Sequence, residues 1–356
     1  MIRLSEVVES IKWGVIGAGG IADRRTIREG ILSAENSKLI AVMDVIPEVT
    51  KRIAQKYRAK RAYFREEDLV RDPEVDAVYI ATPVYLHAKQ AILAAEAGKH
   101  ILCEKPLALS TSDCEDIMTA CRRNHVKLMV GFMMRFHACH EKAREIVEKG
   151  MIGQLVMGRA QLTCWYPEIP GAWRQDPKLG GGGALMDMGI HCVDLLRMFI
   201  GEVDEVSAFA NTIVHEYPVE DTSTMIMRFR NGAHGIVDNY FNIPDAAAQN
   251  VLEIYGTNGC ILAKGTIGQS STGKITAYVT ESAREYEAAQ TRETTVQKEE
   301  FSPPPRNIYR AEIEHFARCI EEDTEPFISG TEAARDLRVV LAAYESARTK
   351  RVVRLS

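Results

Sequence analysis

One apolar segment of the chain carries three side chains that could move a proton. In GGGGALMDMGIHCVDLL, residues 180–196, Asp187 and His191 are four residues apart, and Asp194 follows three residues later. Side chains at these spacings share one face of a helix. Histidine titrates near neutral pH, so a histidine beside a carboxylate suits general acid–base catalysis. We therefore favour a catalytic helix over a purely structural one. A metal site is a weaker alternative, because no further ligand in the sequence completes it.

A glycine-rich stretch near the N-terminus indicates a nucleotide site. GAGGIA, residues 17–22, follows the apolar run WGVIG and fits the pattern G-x-G-x-x-A. Gly17 permits a tight turn, Gly19 lets the backbone approach a pyrophosphate, and Ala22 lets the next helix pack closely. Asp44 ends the following apolar run, where a carboxylate can bond the adenosine ribose and repel a 2′-phosphate. These features predict a dinucleotide site and favour NAD over NADP.

Another apolar run ends in a lysine. HILCEKP, residues 100–106, places Glu104, Lys105 and Pro106 after a predicted strand. Ligands of open α/β sheets bind at the carboxyl ends of the strands, so we expect Lys105 near the nicotinamide end of the cofactor. A lysine there can stabilise negative charge that develops on a reacting oxygen. The Lys105–Pro106 bond is a candidate cis peptide.

The elements that position these residues fall into two regions. Up to residue 133, apolar runs alternate with helix-like stretches, which predicts an α/β fold with a doubly wound parallel sheet. The later residues predict a helix over 184–200 and then an α+β domain with a largely antiparallel sheet. The strand candidates are 203–212, 221–230, 233–242, 251–256 and 260–265, and the final helices are 307–323 and 331–349. Residues 266–306 are polar and predict a long exposed excursion. We therefore predict a nucleotide-binding domain over 1–133 and a second domain over 134–356.

Composition argues against several other classes of protein. The chain has 356 residues, 46% hydrophobic and 26% charged, with a formal net charge of −5. This charge argues against nucleic acid or an anionic membrane as partner, and no apolar stretch is long enough to cross a bilayer. Eight scattered cysteines and an N-terminus without a signal-peptide core indicate a cytoplasmic protein with mostly buried thiols. His137, Cys139 and His140 fit no standard zinc spacing, so we expect no metal.

Four motifs together resemble those of one oxidoreductase family. GAGGIA, ATPVYLH, EKPLA and GGGALMDMGIH occur in this order, as in the Gfo/Idh/MocA family of glucose–fructose oxidoreductases, inositol dehydrogenases and rhizopine-catabolism proteins. The resemblance covers nearly the whole chain. It implies an N-terminal Rossmann domain and a C-terminal α+β domain whose open sheet makes a homodimer or homotetramer. It also implies reversible oxidation of a sugar or cyclitol hydroxyl, with final helices that can pack back on the first domain.

The resemblance also implies roles for individual residues. Lys105 matches the lysine of the EKP motif, and Asp187 and His191 match a D-x-x-x-H pair. We expect His191 to be the general base in oxidation, Lys105 to polarise the reacting oxygen, and Asp187 to bind a neighbouring hydroxyl. Lys105 and His191 could exchange roles, and Asp194 is interpreted as structural. Glycines 180–183 are expected to let the backbone pass close to cofactor and substrate. The expected cofactor-binding residues are Gly17, Gly19, Gly20, Ile21, Ala22, Asp44, Thr82, Pro83, His87, Glu104, Lys105, Arg135, Trp173 and Arg174.

The substrate and two other functions stay open at this stage. Met133 and Met134 stand where many relatives carry polar residues, which argues against a polar sugar contact there. Trp165, Tyr166 and Trp173 can either stack on a sugar ring or pack in a core. The same motifs also fit an NAD-using glycosidase that oxidises its sugar transiently, and a non-catalytic sensor of sugar or nucleotide.

Overall fold

The chain forms two units, each built around its own sheet. The computed structural model describes residues 10–280, 288 and 297–355. The first unit comprises Met1–Met133 and Asn307–Ala334, and the second comprises Met134–Arg306 and Arg335–Ser356. The first unit is thus assembled from two separate stretches of the chain. Residues 1–9, for which no signal peptide is predicted, lie outside the described residues.

The sheet of the first unit is parallel throughout. Its strands are β1 (Ile11–Ile16), β2 (Ser37–Met43), β3 (Arg61–Tyr63), β4 (Ala77–Ile80), β5 (His100–Cys103) and β6 (Leu128–Val130). They lie in the order β3-β2-β1-β4-β5-β6, with every neighbouring pair parallel. All four residues of β4 are buried, because both faces of such a sheet are covered. The predicted doubly wound sheet is confirmed; β3 was not predicted.

Helices follow the strands of this sheet. They are a π-helical segment (Ala22–Ile31), α1 (Pro47–Tyr57), α2 (Glu66–Val70), α3 (His87–Glu96) and α4 (Thr111–Arg123). Pro47 begins α1, and Ser110 caps α4 by accepting from the Asp113 N–H at 3.1 Å. Since the π-helical segment follows β1 and α3 follows β4, both N-termini lie at the carboxyl edge of the sheet.

The sheet of the second unit has nine strands. They are β7 (Leu155–Thr163), β8 (Val203–Asn211), β9 (Thr222–Phe229), β10 (His234–Tyr240), β11 (Val251–Gly256), β12 (Gly259–Lys264), β13 (Lys274–Val279), β14 (Gln297–Phe301) and β15 (Val353–Arg354). The order is β14-β13-β12-β11-β7-β10-β9-β8-β15, and only β7 and β10 pair in parallel. The predicted largely antiparallel sheet is confirmed.

Two parts of this sheet differ from the sequence prediction. β7 was not predicted. The exposed excursion predicted over 266–306 is wrong for β13, because β13 pairs with β12 and buries Ile275 and Ala277. β14 pairs with β13 and is largely exposed, as predicted. Residues 281–287 and 289–296 of that excursion lie outside the described residues.

The helices of the second unit include the segment that carries the candidate catalytic residues. They are α5 (Ala138–Glu148), α6 (Pro177–Gly180), a π-helical turn (Leu185–Gly189) and α7 (Ile190–Ile200). The two last helices of the chain are α8 (Ile308–Glu321), which lies in the first unit, and α9 (Gly330–Thr349), both as predicted. Ten of the eleven residues of α7 are buried. Gly158 of β7 permits this packing, because a Cβ there would lie 2.6 Å from Ile200 Cδ1.

Other global expectations can be compared with the structure. All eight cysteines are free and six are buried, which confirms the prediction of mostly buried thiols. Within the described part of the chain, no helix combines the length and apolarity that a membrane crossing requires.

Candidate active site

The glycine loop after β1 is closed on one side and open on the other. Gly17 has φ +83°, and a Cβ there would lie 2.8 Å from Thr82 Cγ2, so only glycine fits. At Gly20, by contrast, no described atom lies within 4 Å of where a Cβ would be. Among the described residues, no side chain caps the helix Ala22–Ile31 that follows Ile21. Its first N–H groups are therefore suited to bind a phosphate.

Asp44 faces this loop from the end of β2. Its Oδ2 accepts from the Gly19 N–H at 3.2 Å, and its Oδ1 accepts from the Ile46 N–H at 3.1 Å. These bonds orient the carboxylate toward the glycine loop, where a ribose-binding acid is expected. Val45 and Ile46 are 70% and 52% exposed. We did not single them out from the sequence, although two apolar residues after a strand-ending acid suit contact with an adenine ring.

Lys105 is held on its N-terminal side by a chain of hydrogen bonds. The Lys105 N–H donates to Glu104 Oε2 at 3.3 Å, and Tyr79 OH donates to Glu104 Oε1 at 2.5 Å. Thr26 Oγ1 donates in turn to Tyr79 OH at 2.9 Å, which ties this chain to the helix Ala22–Ile31. Burial, reinforced by the Glu104 carboxylate, raises the pKa of Tyr79, so the phenol stays neutral and donates. Nothing in the sequence pattern singles out Thr26 or Tyr79.

His87 holds the loop on the other side of Lys105. Its Nδ1 lies 2.9 Å from the carbonyl oxygen of Pro106, and its Nε2 lies 2.9 Å from that of Thr82. The ring is 1% exposed, and burial lowers the pKa of His87. His87 thus joins the Thr82–Pro83 loop to the loop of Lys105, whose peptide bond to Pro106 is cis. The direct cofactor contacts expected of Thr82, Pro83 and His87 stay predictions.

In the second unit, Asp187 is paired with a residue of the preceding loop. Arg174 Nε donates to Asp187 Oδ1 at 3.1 Å. The guanidinium carbon of Arg174 lies 4.1 Å from the centroid of the Trp173 ring, a cation–π arrangement. Trp173 and Arg174, expected to bind the cofactor, therefore also orient Asp187. Half-buried Tyr166 joins this cluster through a hydrogen bond with Arg174, and burial raises its pKa.

His191 lies one helical turn after Asp187 and is 5% exposed. Asp194, on the same helix, accepts from Arg135 Nε at 2.8 Å, and both side chains are buried. This pairing gives Asp194 a structural role, and the cofactor contact expected of Arg135 stays a prediction. Lys105 belongs to the first unit and His191 to the second. No cluster of three His, Cys, Asp or Glu that could hold a metal occurs in the ranges that the structure describes.

The remaining substrate candidates differ in exposure. Met133 and Met134 are 8% and 2% exposed, so neither offers a polar contact. Trp165 is 44% exposed and meets the edge of His215 at 5.1 Å between ring centroids. Tyr166 instead packs against Phe241, with ring centroids 4.9 Å apart.

The strand order and the loops at its carboxyl edge define the class of protein. A parallel sheet in the order β3-β2-β1-β4-β5-β6, with a glycine loop after β1 and an acid after β2, forms a Rossmann dinucleotide-binding domain. Residues 11–132 match the oxidoreductase family with an NAD-binding Rossmann fold, and residues 140–262 match the GFO/IDH/MocA C-terminal domain.

Individual relatives match over nearly their full length. Myo-inositol 2-dehydrogenase from Thermotoga maritima is 30% identical over 353 residues, covering 96% of this chain and 98% of its own. D-xylose 1-dehydrogenase (NADP(+)) 2 from Haloferax volcanii is 30% identical over 343 residues, covering 96% of this chain and 99% of its own. The crystal structure of aldose–aldose oxidoreductase from Caulobacter crescentus, complexed with glycerol, has a TM-score of 0.86 at 28% identity, covering 97% of this chain and 100% of that one. The chain therefore belongs to the Gfo/Idh/MocA family and is an oxidoreductase with an NAD-binding Rossmann domain.

Proposed function

We propose that the protein transfers a hydride between NAD and a secondary hydroxyl of an uncharged sugar or cyclitol. The proposal is supported by the placement of Asp187, held by Arg174, and His191 on one helix of the second unit, in a chain that also carries the anchored Lys105 loop and all four family motifs. Arg174 neutralises the charge of Asp187, so this part of the site suits a neutral polyol. The relatives named for myo-inositol and D-xylose support the same substrate class.

The residues divide the chemistry of alcohol oxidation among them. Oxidation removes a hydride and a proton, and NAD, when bound, accepts the hydride. His191 takes the hydroxyl proton as general base and returns it in the reverse direction. Lys105 donates a hydrogen bond to the reacting oxygen and stabilises its developing negative charge. Asp187, oriented by Arg174, binds a neighbouring hydroxyl.

We assign the cofactor contacts of the glycine loop and Asp44 to the first unit, and binding of the substrate's neighbouring hydroxyls to the second. NAD is favoured over NADP because Asp44 places a carboxylate beside the glycine loop, where a 2′-phosphate would be repelled. Relatives of this chain include an enzyme named for NADP(+), so membership of the family does not by itself decide between NAD and NADP.

We also propose a homodimer or homotetramer that forms through the second unit's sheet. Phe209 of β8 and Ile226 of β9 lie on the face opposite α7 and are 79% and 56% exposed. Large exposed apolar side chains on one face are typical of an interaction surface. Light scattering after size-exclusion chromatography tests this, and a monomer would contradict it. The eight free thiols support a cytoplasmic location.

The test of function is a screen for NADH production. Purified protein is mixed with NAD or NADP and with aldoses, inositols and anhydro-sugars, and absorbance at the NADH band is followed. We expect net NADH with at least one neutral polyol. Release of an aglycone from glycosides without net NADH would identify an NAD-using glycosidase instead. No hydride exchange with any compound would favour a sensor.

A further inference from the structure

The glycines that precede the catalytic helix pack against two residues of the second unit, Glu220 and Tyr344. A Cβ on Gly183 would lie 1.9 Å from the carbonyl oxygen of Glu220, and a Cβ on Gly182 would lie 2.0 Å from Tyr344 OH. Gly181 has φ +81°, which also favours glycine. This packing accounts for the glycines without any ligand; their closeness to cofactor and substrate stays a prediction.

Glu220 and Tyr344 satisfy four consecutive backbone N–H groups at the start of this helix. The first N–H groups of a helix have no partner within it. The four bonds run from the Gly183 N–H to Glu220 Oε2 (2.9 Å), from the Ala184 N–H to Glu220 O (3.1 Å), from the Leu185 N–H to Glu220 Oε1 (2.9 Å) and from the Met186 N–H to Tyr344 OH (3.2 Å). Tyr344 OH also donates to Glu220 Oε1 at 2.7 Å, which joins the two residues into one cap.

This cap distinguishes the two glycine-rich loops of the chain. A carboxylate at the start of a helix interacts favourably with the helix dipole. Because Glu220 occupies that position, the loop at 180–183 does not offer its N–H groups to a phosphate, whereas the loop before Ala22 does. Glu220 is 9% exposed, so its carboxylate accepts hydrogen bonds mainly from protein groups rather than from water.

We propose that Glu220 and Tyr344 are positioning residues that fix the orientation of Asp187 and His191. Asp187 is the first residue after the four capped amides, and its own N–H donates to Gly183 O at 2.9 Å. Any shift of the capped turn therefore moves Asp187 directly and His191 one turn later. The catalytic part of this inference rests on the proposed function.

Two substitutions test the cap. Glu220→Gln keeps the volume but replaces one acceptor oxygen with a donor that faces a backbone N–H. Tyr344→Phe removes only the hydroxyl, leaving Met186 N–H without its partner. The matched controls are Glu345→Gln, an exposed carboxylate beside Tyr344 on α9, and Tyr278→Phe on β13.

We expect a split between turnover and cofactor binding. With the polyol found in the screen, kcat should fall about tenfold or more in Glu220→Gln and less in Tyr344→Phe, because small misplacements of reacting groups are costly. The KM for NAD should stay within about twofold, since the hydrogen bonds of the cap go to residues 183–186 and not to the glycine loop at 17–22 or to Asp44. Both controls should behave as the unchanged protein does. An unchanged kcat in both cap variants would overturn the proposal.

A second measurement needs no substrate. In protein with ¹³C-labelled histidine, the ring signal of His191 is assigned by its absence from His191→Gln. Its chemical shift and pH titration should change in Tyr344→Phe and Glu220→Gln but not in the controls; an unchanged signal would refute the positioning role. Failure of the unchanged protein to turn over any polyol would reject the proposed function. The His191 ring signal would still show whether Glu220 and Tyr344 position His191. If Glu220→Gln does not fold, Tyr344→Phe, which keeps the carboxylate, decides.

Discussion

At the residue scale, each reactive side chain depends on partners that fix its position. Lys105 is fixed through Glu104 and Pro106, and Asp187 is fixed by Arg174. His191 gains its position from the buried helix that carries it. These partners hold the backbone of Lys105, the carboxylate of Asp187 and the helix of His191 in place within their own units, which lowers the entropic cost of ordering them when ligands bind.

Lys105→Met and His191→Ala should each remove turnover but spare cofactor binding. Loss of a general base or of an oxyanion-stabilising donor typically costs about 100-fold or more in rate. We expect kcat to fall by at least that factor while the Kd for NAD, measured by calorimetry, changes little. The exposed residues Lys149 and His234 provide the controls Lys149→Met and His234→Ala. Normal turnover in either site variant would reject the role assigned to that residue.

Asp44→Ser should shift the cofactor preference toward NADP. The substitution removes the charge that would repel a 2′-phosphate and the acceptor for the ribose hydroxyls. We expect kcat/KM for NAD to fall. The ratio of kcat/KM for NAD to kcat/KM for NADP should decrease about tenfold or more, which corresponds to about 1.4 kcal/mol. Steady-state kinetics with both cofactors measures this ratio. A ratio equal to that of the unchanged protein would contradict the assignment of Asp44.

Some of these residues and partners could be predicted from the sequence, whereas Glu220, Tyr344, Thr26 and Tyr79 could not. Gly17, Asp44 and Lys105 are recognisable because each follows a strand in a local motif. Glu220 caps its helix by accepting from the Gly183 N–H, and Gly183 lies 37 positions earlier in the chain. No local sequence pattern indicates such a contact. Tyr79 is likewise hidden, since a tyrosine inside a buried strand is ordinary core.

At the element scale, three elements of the first unit are joined by a continuous series of side-chain hydrogen bonds. Thr26 comes from the helix after β1, Tyr79 from β4, and Glu104 from the end of β5. These hydrogen bonds therefore link the helix Ala22–Ile31 to the loop that carries Lys105. The local positions of both depend on a single phenol.

Tyr79→Phe should loosen this junction. The substitution removes the hydrogen bond that Tyr79 donates to Glu104 Oε1 and the acceptor that it offers to buried Thr26, and an unsatisfied buried polar group costs about 1–3 kcal/mol. We expect the free energy of unfolding of the first unit to fall by about that amount, measured by urea denaturation, and kcat to fall with it. Tyr278→Phe in the second unit is the control. An unchanged free energy of unfolding would show that the Tyr79 hydroxyl does not stabilise the first unit.

Elements that depend on distant pairing were the ones that sequence patterns missed. β7 contains Gly158 and Arg159 and lacks a clear alternation, yet it pairs with both β10 and β11. Gly158 is needed there because α7 packs against it. β13 lies in a polar stretch but gains its place by pairing with β12. In both cases tertiary packing overrides local preference.

At the scale of the whole molecule, the second unit buries an unusual number of charges. Arg135 pairs with Asp194, and Arg197 Nη1 donates to Asp336 Oδ1 at 2.6 Å. Burial, reinforced by the Asp194 charge, raises the pKa of Asp336. Removing one member of such a pair leaves the other charge uncompensated, which typically costs about 3–5 kcal/mol. These pairs therefore fix how α7, α9 and the residues after Met133 pack together within that unit.

A buried histidine should make the stability of the second unit depend on pH. His140 is fully buried on α5, its Nδ1 lies 2.8 Å from Met134 O, and its ring centroid lies 5.0 Å from that of His137. Burial, with a smaller effect of His137, lowers the pKa of His140 to about 3. An unfolded histidine has a pKa of about 6.5, so below that pH the unfolded state binds a proton that the folded state does not. Stability is therefore full above pH 6.5 and is lost as the pH falls toward 3.

His140→Gln tests this dependence, because glutamine has no titratable group and is similar to histidine in size. Between pH 7 and pH 5, the unchanged protein should lose about 2 kcal/mol more unfolding free energy than the variant, from the linkage of one histidine. Urea denaturation followed by tryptophan fluorescence measures the difference, since two of the three tryptophans, Trp165 and Trp173, lie in the second unit. Subtracting the variant removes the parts of the pH dependence that both proteins share. His234→Gln, at an exposed position, should keep the full dependence of the unchanged protein. An identical pH dependence in His140→Gln would mean that His140 is already charged, or solvated, in the folded state.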